Sequence, residues 1–163
     1  MSLNNYRPVM TAHYTLDWLN AFKLKDINEL KRSELGQEHS MLETASFVNY
    51  AMRQVMHGKS AIWGVKENQP EQFIGIISLQ NIDLDGKTAQ LSASFLPPDL
   101  DQTNTLTEVV PHVIRMLQTD INFKYLFVAQ TQVASFLPAL TQLKFEQVES
   151  TKDAALAEFV KSI

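Results

Sequence analysis

Apolar side chains in the first third of the chain recur with the period of a helix. In residues 21–35 they fall on one side of a helix, which predicts an amphipathic helix. Its apolar face consists of Leu24, Ile27, Leu30 and Leu35. The segment Tyr14 to Leu19 is rich in β-branched and aromatic residues, so a strand is predicted before this helix.

A second apolar stripe at helical spacing predicts a helix from Glu43 to His57. The stripe consists of Ala45, Val48, Ala51, Met52, Val55 and Met56. Thr44 or Ser46 is expected to cap the N-terminus of this helix, because a hydroxyl oxygen can accept a free backbone N–H of the first turn. Gly58 is expected to end it, since glycine readily takes the left-handed conformation that follows many helices.

The period of the pattern changes to two between Ser60 and Leu96, which predicts β-structure. Three strands are predicted, at residues 61–67, 72–83 and 88–96. Asp85 and Gly86 lie between the last two runs and form a strong signal for a hairpin turn. The three strands are therefore expected to be antiparallel neighbours.

A third helix is predicted from Thr105 to Gln118. Thr105 and Glu108 stand three residues apart at its start, which is the spacing of a capping box. Pro111 would then lie inside the helix and remove one backbone hydrogen bond, so a kink or a later start is expected. The apolar run Tyr125 to Gln130 is predicted to be a buried strand that pairs in parallel with a neighbour, because a helix crosses over before it.

The last part of the chain predicts a fourth helix and a hairpin. The helix is expected over Phe136 to Leu143, with Ser135 as its N-cap and Pro138 in its first turn. Residues 145–150 and 154–162 favour two strands of a closing hairpin. The second of these segments also contains good helix formers, so a helix stays open there as an alternative.

Composition limits the classes of function that the chain can have. Its 163 residues are 45% hydrophobic and 20% charged, which predicts one domain over residues 1–163, with residues 1–10 as a loose N-terminal segment. The net charge of -4 argues against nucleic-acid binding, because phosphate contacts need a surplus of lysine and arginine. No apolar run is long enough to cross a membrane, and cysteine is absent, so a cytoplasmic protein is expected. The four histidines lack metal-ligand spacing, so no metal site is predicted.

The order of the predicted elements is strand, two helices, three antiparallel strands, helix, strand, helix and hairpin. This order resembles the GNAT family of N-acetyltransferases, and the resemblance covers residues 11–163. Three stretches are similar to the branch of ribosomal-protein N-terminal acetyltransferases: AFKLKDINEL, WGVKENQPEQFIGIISLQNID and VASFLPALTQLKF. The resemblance implies an α/β GNAT fold, with a mixed, mostly antiparallel central sheet flanked by about four helices.

Residues 95–108, FLPPDLDQTNTLTE, resemble the acetyl-CoA loop of this family. The resemblance implies acetyl-CoA as co-substrate, held by the end of the third predicted strand and by the turn into the third helix. The residues that it assigns to coenzyme binding are Ser94, Phe95, Leu96, Gln102, Thr103, Asn104, Thr105, Leu106 and Thr107.

The loop departs from the family pattern at three positions. Asp101, Gln102 and Asn104 stand where the family has a basic residue and glycines. If Gln102 and Asn104 had to adopt a positive φ, the conformational cost would be about 2 to 4 kcal/mol, or roughly 30- to 1000-fold in affinity. The turn is therefore predicted to bind the coenzyme more weakly than a glycine turn does.

The resemblance also suggests where catalytic groups would lie. The family's usual glutamate base aligns with Gln90 or Leu91, and neither side chain can accept a proton usefully. Ser135 matches a serine that often acts as the acid, although it could equally serve as a helix N-cap. Tyr125 is a second candidate for the acid. His112 is the histidine nearest to the coenzyme loop in sequence.

Two functions are compatible with this sequence. The first is an N-acetyltransferase that transfers an acetyl group from acetyl-CoA to a primary amine, either a protein N-terminus or a small amine. The alternative is a non-catalytic GNAT-fold binding or interaction module that has lost coenzyme A binding. Either protein could be a monomer or a homodimer.

Overall fold

The structure is a computed structural model that describes residues 3, 5–6, 8–98, 101–149 and 155–162. These residues form four α-helices and eight strands. The strands are β1 Val9–Met10, β2 Tyr14–Trp18, β3 Ala61–Asn68, β4 Glu71–Asp83, β5 Thr88–Phe95, β6 Tyr125–Ala129, β7 Phe145–Val148 and β8 Leu156–Lys161. The helices are α1 Leu24–Leu35, α2 Met41–Met56, α3 Thr103–Leu117 and α4 Val133–Gln142.

The strands form one sheet in the order β1-β2-β3-β4-β5-β6-β8-β7. β5 and β6 are parallel, with Thr88 opposite Tyr125. β2 with β3, β6 with β8, and β7 with β8 are antiparallel. The predicted class, a mixed and mostly antiparallel sheet with about four helices, is confirmed, and so is the closing hairpin.

The chain divides into two compact units, and the first comprises residues 1–78 and 93–100. Its core lies between α1, α2 and the sheet. The fully or largely buried members of this core are Leu19, Ile27, Leu30, Ala51, Ile62 and Ile76. The Thr44 hydroxyl donates to Asn28 Oδ1 (2.8 Å) in a buried hydrogen bond that joins α2 to α1. Burial of these apolar side chains stabilises the unit at roughly 25 cal/mol per Å² removed from water.

The second unit comprises residues 79–92 and 101–163. Its strands are β6, β7, β8, residues 79–83 of β4 and residues 88–92 of β5, and its helices are α3 and α4. The buried positions of α3 recur at helical spacing, which gives the helix one apolar face. They are Thr105, Leu106, Val109, Val110, Pro111, Val113, Ile114 and Leu117.

The start of α2 differs from the prediction. The N-cap is Ser40, whose Oγ accepts the Glu43 N–H (3.1 Å), while Glu43 Oε1 accepts the Ser40 N–H (3.1 Å). This reciprocal pair satisfies two backbone donors, so the helix begins before either predicted cap. Thr44 and Ser46 as N-caps were wrong, and Thr44 lies inside the helix with its hydroxyl committed to α1.

The starts of α3 and α4 also lie earlier than predicted. Thr105 is buried in the third position of α3 and is not its N-cap. Likewise, Ser135 is the third residue of α4 and is not its N-cap, because the helix begins at Val133. Pro138 consequently lies in the interior of α4 and not in its first turn. Both helices continue through a proline that cannot donate a backbone hydrogen bond.

The described part of residues 1–10 is tied to the first unit. Val9–Met10 pairs with β2 in the antiparallel sense, and the fully buried Leu3 donates its N–H to the Val55 carbonyl (3.0 Å). This finding differs from the expectation of a loose segment. The single domain over residues 1–163 stays a prediction.

Candidate functional site

The end of β5 carries the first group of residues predicted to bind the coenzyme. Within the first unit, the Leu96 N–H donates to the Ile74 carbonyl (2.9 Å), which fixes the chain just after the strand. Gly75 lies directly against Ser94 and Phe95. A Cβ at Gly75 would clash with the Ser94 carbonyl oxygen and would lie 2.6 Å from Phe95 Cδ1. The strand end can take this position only because Gly75 has no side chain.

The start of α3 carries the second group. The Thr103 N–H donates to Asp101 Oδ1 (3.0 Å), and the Thr103 hydroxyl donates to the same oxygen (2.7 Å). These hydrogen bonds, the hydroxyl first, hold the pKa of the Asp101 carboxyl below its usual value. The N-terminus of a helix attracts anions because its first N–H groups lack intrahelical partners. Here the first N–H of the helix already binds an anion that belongs to the chain itself.

The turn at the start of α3, which the structure describes in full from residue 101, contains no positive φ, so the absence of glycines causes no conformational strain there. Gln102 precedes the helix with φ −99° and ψ 5°. Among the described residues, the non-glycine positions with a positive φ are Asn81, Lys87 and Lys144, and none of them lies in the turn. The expected cost of about 2 to 4 kcal/mol therefore does not arise in this conformation.

The other predicted coenzyme residues differ in what they can offer. The side chains of Thr105 and Leu106 are buried and cannot face a ligand, and the Leu106 N–H donates to the Gln102 carbonyl (3.0 Å). The Thr107 hydroxyl donates to the Thr103 carbonyl (2.6 Å) and is committed to the helix. Asn104 is exposed. Any anion at this turn would therefore be bound mainly by backbone N–H groups.

The predicted catalytic residues lie in the second unit on different elements. Ser135 is half-buried in the first turn of α4. Tyr125 is the first residue of β6 and pairs with Thr88, the first residue of β5. Gln90 and Leu91 pair with β6 residues, so the strand position of the family's base carries no carboxylate. The roles of Ser135 and Tyr125 stay predictions.

His112 lines an open cavity of about 480 Å³ along one face of α3. Glu108, Arg115 and Gln142 also line this cavity. No group of three or more potential metal-ligating side chains occurs in the part of the chain that the structure describes. Within the same residues, none of the helices has the length and apolar character needed to cross a membrane.

The likeness of this chain to known proteins is a likeness of structure. No protein-family model matches the chain, and no curated protein matches it. Solved structures do match. The ribosomal alpha-N-protein acetyltransferase RimL in complex with coenzyme A is 13% identical, with a TM-score of 0.74, and the match covers 96% of this chain and 97% of that chain.

Two further structures give similar values. An acetyltransferase from Salmonella typhimurium that modifies the N-terminal serine of a ribosomal subunit protein is 13% identical, with a TM-score of 0.72 and coverage of 96% and 98%. A microcin self-immunity acetyltransferase in complex with acetyl-CoA and AMP is 14% identical, with a TM-score of 0.70 and coverage of 93% of each chain. The chain has the GNAT fold.

One residue just after α4 has an unusual backbone conformation. The φ of Lys144 is 66°, which is in the left-handed region. A residue with a Cβ is strained there, at a typical cost of about 1 to 2 kcal/mol.

Proposed function

We propose that this chain is an N-acetyltransferase that transfers the acetyl group of acetyl-CoA to a primary amine of a protein N-terminus or a small molecule. The observation that carries the proposal is the likeness to acetyltransferases over nearly the full length of the chain. Two of the similar structures hold coenzyme A or acetyl-CoA. Fold alone does not define an activity, so the proposal also depends on the site.

In the proposed reaction, the lone pair of a neutral amine attacks the carbonyl carbon of the thioester. The carbon–sulfur bond then breaks, the sulfur leaves as a thiolate and takes up a proton, and the nitrogen loses one. Ser135 is proposed to donate the proton to the sulfur. Because Gln90 and Leu91 cannot accept a proton, the amine must lose its proton to water before or during attack.

Coenzyme binding is proposed at the two groups of residues described above. The backbone of Ser94, Phe95 and Leu96 would pair with the amide groups of the coenzyme arm, as one strand pairs with another. The N–H groups at the start of the turn from Gln102 to Thr107 would bind its phosphates. The Leu106 N–H is not among them, because it donates to the Gln102 carbonyl (3.0 Å). The Asp101 carboxylate opposes this binding because it adds a negative charge at the same place.

The hydrogen bonds of Asp101 favour a second candidate function. A turn whose first helical N–H binds an internal carboxylate suits a GNAT-fold module that no longer binds coenzyme A. Such a module would recognise a partner without transferring an acetyl group. Coenzyme binding therefore separates the two candidates.

Acetyl-CoA is expected to raise the melting temperature of the protein. A ligand at 100 times its dissociation constant stabilises the folded state by about 2.7 kcal/mol, which corresponds to roughly 5 to 10 °C for a chain of this size. Differential scanning calorimetry with increasing acetyl-CoA measures the shift. Asn104→Glu, which adds a carboxylate at the exposed second position of α3, is expected to reduce it.

Two outcomes would contradict this prediction. If millimolar acetyl-CoA leaves the melting temperature unchanged, the chain does not bind the coenzyme and the second candidate stands. If the shift is the same in Asn104→Glu, the coenzyme binds away from the start of α3.

Ser135→Ala is expected to lower kcat about tenfold and to leave the dissociation constant of acetyl-CoA unchanged. This loss is smaller than usual for acid catalysis, because a thiol with a pKa of about 8.5 leaves readily without a proton. Steady-state acetyl transfer and calorimetric titration measure the two quantities. Thr141→Ala, at an exposed position of the same helix, is the control. An unchanged kcat in Ser135→Ala together with a loss in Tyr125→Phe would assign the acid to Tyr125 instead.

A further inference from the structure

Four lysines lie side by side at one end of the sheet in the second unit. They are Lys87, directly before β5, Lys124, directly before β6, Lys161, the last residue of β8, and Lys144, directly before β7. The Lys124 N–H donates to the Lys87 carbonyl (2.8 Å), and the Lys161 N–H donates to the Lys124 carbonyl (3.0 Å). The Ser162 N–H donates to the Lys144 carbonyl (2.8 Å). The four residues therefore follow the strand order β5-β6-β8-β7, and we call them the lysine row.

The charges of the lysine row are close together and lack opposite charges. Neighbouring strands lie about 4.8 Å apart, so the row is about 15 Å long. Lys87, Lys124 and Lys144 are exposed, and the half-buried Lys161 donates from Nζ to Asn122 Oδ1 (3.2 Å). In the part of the chain that the structure describes, none of the four lysines forms an ion pair with a carboxylate. Like charges on neighbouring strands repel, so the row is unfavourable for the isolated fold.

The lysine row also concentrates the cations of its unit in one place. The second unit contains six lysine and arginine residues, and four of them belong to the row. The unit is not basic in general, because its carboxylates outnumber its cations. The row is thus a local positive surface on an acidic background, which is the arrangement expected of a site that attracts an anionic partner.

Two lysines of the row occupy strained backbone. Among the described residues, three non-glycine positions have a positive φ, and two of them are Lys87 (57°) and Lys144 (66°). Gly86 directly precedes Lys87, yet the left-handed conformation falls on the lysine. Glycine adopts this conformation without strain, whereas lysine does not. Strained positions cluster at functional sites, so the two lysines indicate a role beyond the fold.

We propose that the lysine row is a docking surface for a short acidic segment of a partner protein. An extended segment rises about 3.3 Å per residue, so four to five residues span about 15 Å. The carboxylates of that segment would offset the repulsion among the four ammonium groups. Charge complementarity of this kind gives specificity and fast association.

The docking surface is separate from the proposed coenzyme turn. That turn lies at the N-terminal end of α3, and the chain reaches Lys124 after the C-terminal end of the same helix. α3 has 15 residues, so its two ends are about 22 Å apart. The docking proposal therefore does not depend on the acetyltransferase function.

The charges around the lysine row favour a short peptide over a nucleic acid or a membrane. Exposed carboxylates lie within a few residues of the row, at Asp85, Asp120 and Glu146. A nucleic acid or an anionic membrane extends well beyond 15 Å and would meet these negative charges, as well as the net charge of -4 of the chain. A segment of about five residues would contact the row alone.

The test uses the full chain and a fluorescently labelled hexaglutamate peptide. Fluorescence anisotropy is expected to show saturable binding at about 20 mM salt, weakened about tenfold at about 200 mM. Lys124→Gln and Lys161→Gln are each expected to weaken binding about threefold, and the double variant about tenfold. Lys59→Gln removes the same charge at an exposed position of the first unit, and it is expected to leave binding unchanged.

Lys144→Gly separates docking from a role in the fold. Glycine relieves the strain and removes the charge, so the melting temperature is expected to rise by about 2 °C while hexaglutamate binding weakens about threefold. Scanning calorimetry and anisotropy measure the two changes. A lysine kept only for stability would give the opposite result, a lower melting temperature and unchanged binding.

Three results would overturn the docking proposal. One is a failure of hexaglutamate to bind at low salt. Another is an equal loss of affinity in Lys59→Gln and Lys124→Gln, since only net charge would then matter. The third is tighter binding of hexauridylate RNA or of phosphatidylserine vesicles than of hexaglutamate, lost in the double variant, because the row would then serve a nucleic acid or a membrane.

Discussion

Gly75→Ala is expected to lower the free energy of unfolding by about 3 kcal/mol, near the upper end of the usual cost of overpacking. The new Cβ would clash with the Ser94 carbonyl oxygen, and it would also lie 3.0 Å from Phe95 Cα. Both are backbone atoms of a paired strand, so neither can move without disturbing the hydrogen bonds around it. Urea unfolding, followed by circular dichroism, measures the change.

Gly64→Ala provides the comparison. Its Cβ would meet the ring of Phe22, a side chain that can turn aside, so we expect a smaller loss of about 1 kcal/mol. Equal stability of Gly75→Ala and wild type would contradict the close approach of β4 to Ser94. If Gly75→Ala folds at low temperature, its acetyl-CoA affinity should also fall, because the strand end would be displaced.

Removing the negative charge at position 101 is expected to strengthen coenzyme binding. Asp101→Asn keeps an oxygen that can accept the Thr103 N–H and hydroxyl, so the turn should keep its conformation. The lost repulsion should tighten acetyl-CoA binding about three- to tenfold at low salt. Asp101→Lys, which places a cation there, should tighten it about 10- to 100-fold. Calorimetric titration at two salt concentrations measures both gains, and each should shrink as salt is added.

A matched control separates this local effect from net charge. Asp120→Lys makes the same change in charge at an exposed position just after α3, and it should alter acetyl-CoA affinity much less. If Asp120→Lys and Asp101→Lys strengthen binding equally, only the overall charge matters. If neither Asp101 variant binds more tightly than wild type, the start of α3 is not where the phosphates bind.

Periodicity predicted most elements of the fold but not where the helices begin. Helices show a period of three to four residues and strands a period of two, because each period records which side chains face the core. Helix starts depend on which of several nearby polar side chains binds the free N–H groups. The N-cap of α2 is Ser40 and not Thr44. In α3, Asp101 accepts the first N–H of the helix, although the predicted N-cap was Thr105. Such competition is decided by backbone angles that a pattern does not contain.

The candidate site was predictable only where its residues are contiguous in the sequence. Residues 95–108 are contiguous, so their resemblance to a coenzyme loop was visible, as was the charge of Asp101. The hydrogen bonds of Asp101 were not visible, because they depend on the side-chain rotamer. A cavity of about 400 Å³ in the first unit was not visible either, since Asp17, Asp26 and Phe73, which line it, are far apart in sequence.

The stacked tryptophans determine what a fluorescence experiment on this protein can detect. Trp18 and Trp63 are the chain's two tryptophans, both fully buried in the first unit, with ring centroids 5.2 Å apart. A red shift of their emission on heating therefore signals the exposure of the first unit to water. Loss of α3 and α4 in the second unit could precede it without changing the emission. The helical circular dichroism signal should be recorded beside the emission, and a gap between the two melting curves would measure how independently the two units unfold.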